Sequence, residues 1–157
     1  MKFSIVIPTF NNLEYLKLCI KSIKKNSKFA HDIKLHINEG SDGTLDYAKN
    51  NNIFFTFSKD NIGLCSAINK VTSTVNSKYV LYAHDDMYFC PGWDVSLINE
   101  IKKINHDNFF LSGTLIESNT GHIKFDCGDK ISTFDEDKLL NNYKSKNFYD
   151  YQGSHYA

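Results

Sequence analysis

Ser4-Ile5-Val6-Ile7-Pro8-Thr9-Phe10-Asn11-Asn12 decides the fold of this chain. Its β-branched run favours a pleated strand, Pro8 closes the run, and Asn11 or Asn12 can cap a helix that follows. Leu13, Leu16, Ile20 and Ile23 then recur at spacings of three and four, with Glu14, Lys17, Lys21 and Lys24 on other faces. One apolar stripe is therefore set against a sheet. Ile33, Leu35 and Ile37 alternate with polar neighbours as a second strand, which runs into the turn formers Asn38-Glu39-Gly40-Ser41-Asp42-Gly43.

The same alternation continues along the chain. Thr44 to Asn50 reads as a short helix and Ile53 to Phe57 as a third strand. After the turn Asp60-Asn61-Ile62-Gly63, the residues Leu64, Ala67, Ile68, Val71 and Val75 make a helical stripe. Tyr79-Val80-Leu81-Tyr82-Ala83 is a compact apolar strand, followed directly by His84-Asp85-Asp86. Trp93, Leu97, Ile101 and Ile104 mark another helix, and Phe109 to Ile116 and His122 to Phe125 read as strands around an Asn-Thr-Gly turn. The order β-α-β-α-β-α-β-α-β-β predicts an α/β fold with a mainly parallel sheet, right-handed crossovers and helices on both faces. Ligands on such sheets gather outside the carboxyl ends of the strands, which singles out the loops Pro8 to Asn12, Asn38 to Thr44, Lys59 to Gly63 and His84 to Tyr88. From about Asp126 the pattern weakens, although Phe134 to Tyr143 fits a short helix. The aromatic tail, Phe148 to Ala157, has no period and is an interface candidate for a homo-oligomer or a complementing chain.

Composition narrows the function. A chain of 157 residues suits one core, and 41% hydrophobic with 23% charged residues excludes a disordered, collagenous or coiled-coil chain. Eighteen positive side chains balance eighteen acids, so the basic excess that binds nucleic-acid backbones is missing. All eighteen are Lys, which leaves no guanidinium fork to grip a diphosphate. Some other electrophile has to take that role. Cys19, Cys65, Cys90 and Cys127 form no C-x-x-C pair and sit in apolar patterns, which predicts reduced core thiols and a cytoplasmic location. The opening apolar run reads as a buried strand instead of a signal peptide, and no window approaches a transmembrane segment.

Asp85 and Asp86 are the sharpest chemical feature. Adjacent carboxylates after a buried strand repel unless a cation or donors compensate them, and hard oxygen ligands without cysteine favour Mg²⁺ or Mn²⁺ shared with substrate phosphates. A solvated acidic turn before Pro91-Gly92 is the alternative. Glu39 can accept a hydrogen bond from a base or ribose, with Gly40 and Gly43 allowing close backbone approach, or it is an exposed turn residue. Thr9, Asn11, Asn12, Asn61 and Gly63 read either as uncharged ligand contacts or as turn and cap residues. His84 beside the acidic pair is a ligand or proton carrier, or a strand-end imidazole bonded to backbone; His155 has no local partner. P-loop, nicotinamide, serine-hydrolase and zinc-protease signatures are all missing.

Taken in order, Ser4 to Asn12, Asn38-Glu39-Gly40-Ser41-Asp42-Gly43-Thr44, Asn61-Ile62-Gly63 with Ala67 and Asn69, and Tyr82-Ala83-His84-Asp85-Asp86 resemble family 2 glycosyltransferases of the GT-A fold. The family usually has Asp-Asp-Gly-Ser where this chain has Asn38-Glu39-Gly40-Ser41, and Asp-x-Asp where it has His84-Asp85-Asp86. The resemblance implies a nucleotide-diphosphate sugar donor held by Pro8, Thr9, Asn11, Glu39, Asn61, Gly63 and Asp85. It also implies Mn²⁺ or Mg²⁺ on Asp86 with Asp85, and transfer with inversion to an acceptor such as a saccharide, a lipid-linked saccharide or a protein. On this reading residues 1–157 are one domain: a nucleotide-sugar core to residue 126, then the start of an incomplete acceptor region over 127–157. Asp126, Asp129 and Asp135 fit no motif for the catalytic base. A catalytically silent binding or interaction module derived from such an enzyme therefore stands beside the transferase. A nucleotidyltransferase would need a Gly-rich basic loop, which Pro8 to Asn12 does not supply.

Overall fold

The computed structural model describes residues 2–119 and 123–146. The elements are β1 (Phe3–Phe10), α1 (Leu13–Asn26), β2 (Asp32–Asn38), α2 (Thr44–Asn50), β3 (Phe54–Ser58), α3 (Leu64–Thr72), β4 (Tyr79–Tyr82), α4 (Trp93–Lys103), β5 (Ile116–Glu117), β6 (Ile123–Lys124) and α5 (Glu136–Lys146). They fall into two compact units, residues 1–95 and 96–157. None of the described helices is long and apolar enough to cross a membrane.

The first unit is the expected α/β core. Its four strands form one parallel sheet in the order β3-β2-β1-β4, with Ile5 opposite Ile33, Leu35 opposite Phe55 and Ile5 also opposite Leu81. Strand order runs one way from β1 to β3 and then jumps back to β4. Right-handed crossovers consequently put α3 on the face opposite α1 and α2. β1 sits between two neighbours and two helical layers, and its residues from Phe3 to Thr9 are all buried. This explains why its sequence is a continuous apolar run with no in-out alternation. Ile5, Val6, Ile7, Leu16, Leu35, Ile37 and Val71 have essentially no exposure, and each large one stabilises the fold by about 1.5–3 kcal/mol. The α1 stripe is buried at Leu16, Ile20 and Ile23 as its spacing predicts.

α3 stops at Thr72 instead of reaching Val75. The Ser73 hydroxyl bonds the Lys70 carbonyl oxygen and the Thr74 hydroxyl that of Val71, and such side chains divert the last turn from the helical ladder. In the second unit, the strand expected over Phe109–Ile116 is reduced to the two-residue β5, paired in parallel with β6. An apolar run has strand propensity, but a strand exists only where a ladder forms, and Phe110 is 94% exposed. α5 follows, two residues later than expected. His122, the Thr120-Gly121 turn, His155 and the aromatic tail lie outside the described residues.

A buried carboxylate that the sequence did not single out closes the amino end of the first unit. Asp94 Oδ2 accepts from the Lys28 N–H (2.9 Å), the Phe29 N–H (2.9 Å) and His31 Nε2 (3.1 Å). His31 Nδ1 takes the Phe3 N–H, which assigns the ring proton to Nε2. Burial pushes the Asp94 carboxyl up, but the Phe29 and Lys28 amides and His31 outweigh it and hold the group below the ordinary value of 3.8. Asp94→Ala leaves these donors unpaired and is expected to lower stability by about 3 kcal/mol in urea unfolding at pH 7. Because the folded value lies below the unfolded one, this contribution is full above pH 3.8 and fades as pH falls. Wild type and variant should converge in acid.

Candidate functional site

β1 and β4 are neighbours at the point where the strand order jumps, and sheets of this kind bind ligands outside the carboxyl ends of the strands at such a point. Asn11-Asn12 leave β1 at this edge, and His84-Asp85-Asp86 leave β4. The Ala83 N–H still bonds the Val6 carbonyl, so the acidic pair emerges from a fixed backbone. Asn12 Nδ2 then donates to Asp85 Oδ1 at 3.0 Å, tying the turn after β1 to the turn after β4. Asn12 is thus the residue before α1 but makes no side-chain cap. The cap is Asp42, whose Oδ2 takes the Leu13 N–H at 2.8 Å and whose Oδ1 takes the Thr44 N–H at 3.1 Å. One carboxylate serves the first turns of both α1 and α2.

Glu39 and Asn11 are joined through Ser41. Asn11 Oδ1 accepts the Ser41 N–H at 3.0 Å, and the Ser41 hydroxyl donates to Glu39 Oε1 at 2.9 Å. Asn11 has φ 47° and Glu39 φ 61°, left-handed conformations that side chains other than Gly, Asn and Asp rarely adopt. Glu39 is exposed on this bend. Gly40 follows with φ 70°, and a Cβ there would lie 2.8 Å from Ile37 Cγ2, so the turn has room for no other residue.

Asn38, buried at the end of β2, ties in the loop before α3. Its Oδ1 accepts the Ser58 hydroxyl at 2.9 Å and the Ile62 N–H at 3.1 Å, while the Glu39 N–H bonds the Ser58 carbonyl. Below it, His36 is fully buried with Nδ1 2.8 Å from Thr56 Oγ1 and Nε2 3.1 Å from Ser58 Oγ. Asn61 Oδ1 accepts the Gly63 N–H, and both residues are exposed beside this joint. Pro8 and Thr9 lie buried in β1.

Electrostatics concentrate at the acidic pair. Burial pushes the Asp85 carboxyl above its ordinary value, opposed by the Thr9 hydroxyl and the Asn12 amide and reinforced by the Asp86 charge. Thr9 Oγ1 is buried and makes no bond of standard hydrogen-bond geometry, yet it lies close enough to favour ionised Asp85. Asp86 is exposed. Among the described residues neither acid has a Lys or His ion pair, and no cluster of three or more His, Cys, Asp or Glu exists. Two carboxylates at an open edge do not make a closed tetrahedral zinc site. They do fit Mg²⁺ or Mn²⁺, which complete their shells with water and phosphate oxygens.

The surrounding groups are accounted for by geometry. His84 Nε2 lies 3.0 Å from the Tyr82 hydroxyl, and burial together with Asp86 and Asp85 raises the Tyr82 pKa. Cys19 packs under the turn with Sγ 3.5 Å from the His84 carbonyl oxygen. Burial, then Asp85 and Asp86, push its thiol up to about 12, so it is inert at neutral pH. Cys127 is buried as well, whereas Cys90 is half-buried and Cys65 exposed. The expectation of four core thiols is corrected for Cys65, which lies in the first turn of α3 on a side that the Leu64, Ala67, Val71 pattern does not distinguish.

In the second unit Asp126, Asp129 and Asp135 line a polar hollow with Lys138. Each acid is already engaged: Asp126 with the Gly128 N–H and the Ser118 hydroxyl, Asp129 with the Thr133 hydroxyl, and Asp135 with the Lys138 N–H. The Gly128 N–H and Ser118 hold the Asp126 carboxyl below its usual range, the opposite of what a general base needs.

The uncompensated pair has a stability signature. The raised folded value of Asp85 means that ionising it works against the fold as pH rises above 3.8. Asp85→Asn should therefore raise the ion-free melting temperature at pH 7 by on the order of 3 °C. The gain should vanish when the scan is repeated below pH 3.8, where the native carboxyl is protonated in both states.

Comparison with known proteins agrees with this layout. The sequence profile of the family described as Glycosyl transferase family 2 matches residues 4–155. No curated protein matches the chain in sequence. Among solved structures, S. aureus TarS 1-349 is similar at TM-score 0.57 and 21% identity, over 66% of this chain and 33% of that one. The same TarS fragment in complex with UDP-GlcNAc aligns at TM-score 0.57 and 21% identity, over 66% of this chain and 32% of that one. The mannosyltransferase PcManGT from Pyrobaculum calidifontis, in complex with GDP-Man and Mn²⁺, aligns at TM-score 0.53 and 16% identity, over 64% and 31%. The chain spans about a third of the length of these structures, and the likeness establishes the GT-A fold. With almost the whole sequence matched by the profile and the sheet built as the fold requires, the chain belongs to glycosyl transferase family 2.

Proposed function

We propose that the carboxyl edge of β1 and β4 binds a nucleotide-diphosphate sugar and presents it for glycosyl transfer. The observation that carries this reading is the Asp85-Asp86 pair, fixed to β1 through Asn12 and, among the described residues, without a Lys or His ion pair. Glu39 and Asn11, held together by Ser41, stand on the base and ribose side, with Thr9 and Pro8 beneath them and Asn61 and Gly63 on the neighbouring loop. Asp85 faces the ribose or sugar, and Asp86 with Asp85 would hold Mn²⁺ or Mg²⁺. When bound, the cation supplies Lewis-acid neutralisation of the diphosphate oxygens, a task for which this chain has no Arg. The protein's own part is to orient the donor so that an acceptor hydroxyl displaces the diphosphate from the far side, with inversion.

Support for the donor class comes from the neighbours, whose structures hold UDP-GlcNAc, UDP and GDP-Man. On this reading residues 1–126 carry donor binding and residues 127–157 begin an acceptor region. Four free thiols suit a reducing cytoplasm. The engaged state of Asp126, Asp129 and Asp135 favours a second reading, a donor-binding module without turnover. The two differ in one assay, release of free sugar or transfer product from a bound donor.

A thermal-shift panel of UDP-, GDP- and dTDP-sugars with and without Mn²⁺ tests the proposal: one nucleotide series should stabilise the protein in the presence of the ion, and a flat panel overturns it. Asp86→Ala should remove the Mn²⁺-dependent shift while leaving the ion-free melting curve in place, because an exposed carboxylate supports little packing. Glu39→Ala should weaken the free nucleoside about tenfold without metal, as expected for loss of a charged hydrogen-bond acceptor. Calorimetric titration of the nucleoside measures it.

A further inference from the structure

We propose that Asn38 is a positioning residue for nucleotide recognition, acting through Ser58 and the Ile62 amide to set the spacing between Glu39 and the Asn61–Gly63 loop; this rests on the donor site proposed above. The position is the one at which the family motif usually has its first acid. Here the side chain is 4% exposed and turned into the protein, and its Oδ1 is spent on two internal bonds. Ser58 receives both halves of the joint: its hydroxyl donates to Asn38 Oδ1 and its carbonyl accepts the Glu39 N–H. Asn38 thereby pins two loops at one point, the loop bearing Glu39 and the loop bearing Asn61 and Gly63.

The proton order along this joint follows from the donor inventory. A carbonyl oxygen only accepts, so the Ser58 proton points at Asn38. His36 Nε2 must then donate to Ser58 Oγ, and Nδ1 is left to accept from the Thr56 hydroxyl. The relay is neutral and runs one way, from the Thr56 hydroxyl through His36 and Ser58 to Asn38 Oδ1, which accepts at its end. The charged group near the imidazole is Lys70 of α3, which with burial keeps the ring unprotonated; Pro8 of β1 and Thr56 of β3, opposite His36 in register, carry no charge. A carboxylate at position 38 keeps both acceptor bonds, whereas a leucine, branched alike but bulkier and apolar, keeps neither.

The experiment compares Asn38→Leu, Asn38→Asp and Ser58→Ala in the full chain. Amide hydrogen exchange at Ile62 should accelerate about tenfold in Asn38→Leu and stay within about threefold of wild type in Asn38→Asp. The Kd for UDP or GDP with Mn²⁺, whichever the wild type binds, should weaken about tenfold in Asn38→Leu and recover in Asn38→Asp. Ser58→Ala should reproduce the affinity loss in part, and serves if Asn38→Leu does not fold. Unchanged exchange at Ile62 in a folded Asn38→Leu or Ser58→Ala overturns the positioning role. A folded Asn38→Asp that protects Ile62 yet fails to restore affinity also overturns it, and makes the Asn38 amide a direct ligand. If neither nucleotide binds wild type, the donor reading fails, and exchange at Ile62 decides the joint by itself.

Discussion

The reversal of strand order at β1 is the constraint on which the rest depends. Because β2 and β4 lie on opposite sides of β1, the carboxyl end of β1 is flanked by the turns leaving both, and the segment after β4 is held against α1 by the Phe89 N–H on Ser22 and by Asn26 on the Phe89 carbonyl. The acidic pair, Asn11, Asn12 and Glu39 all gather at this carboxyl edge, while the buried Asp94 network closes the amino end. The buried run from Phe3 to Thr9 makes the placement firm, since sliding β1 by one residue would change its register with both neighbours and disturb two helical layers at once. Rigidity at the strands lets the carboxyl edge carry left-handed residues and an unbalanced acidic pair, features that oppose folding locally.

Much of this was legible from residue type and spacing. The strand and helix order of the core, the α1 stripe and the loops that leave the strands follow from periodicity and turn formers, which report local propensity and burial. The pair Asp85-Asp86 stood out because two acids after an apolar strand have no local explanation. What could not be read were partners far apart in the chain. Asn12 looked like a cap, but its amide crosses to Asp85, 73 residues away. Asp42 looked like a turn residue, but it caps a helix that begins 29 residues earlier. Asp94 was not singled out at all, and it serves three donors from residues 28–31.

The opposite failure occurs in the second unit. Phe109 to Leu115 has the composition of a strand, yet pairing begins only at Ile116. Composition gives a segment the tendency to extend and says nothing of whether a neighbour offers its edge. Cys65 teaches a similar lesson: small apolar residues in a helical stripe predict its direction well, but a cysteine one step off the stripe can face either way. These differences leave the four-stranded sheet of the first unit untouched, because its central strands β1 and β2 are each paired on both sides.

Asn11 and Glu39 share a backbone hand that most side chains avoid, and their neighbours hold them there. Such bends restrict which residues this chain can carry there. Valine or isoleucine is disfavoured at both positions by sterics, and only glycine, asparagine or aspartate enters readily. Substitution at either place is therefore filtered first by the backbone and only afterwards by what the side chain touches.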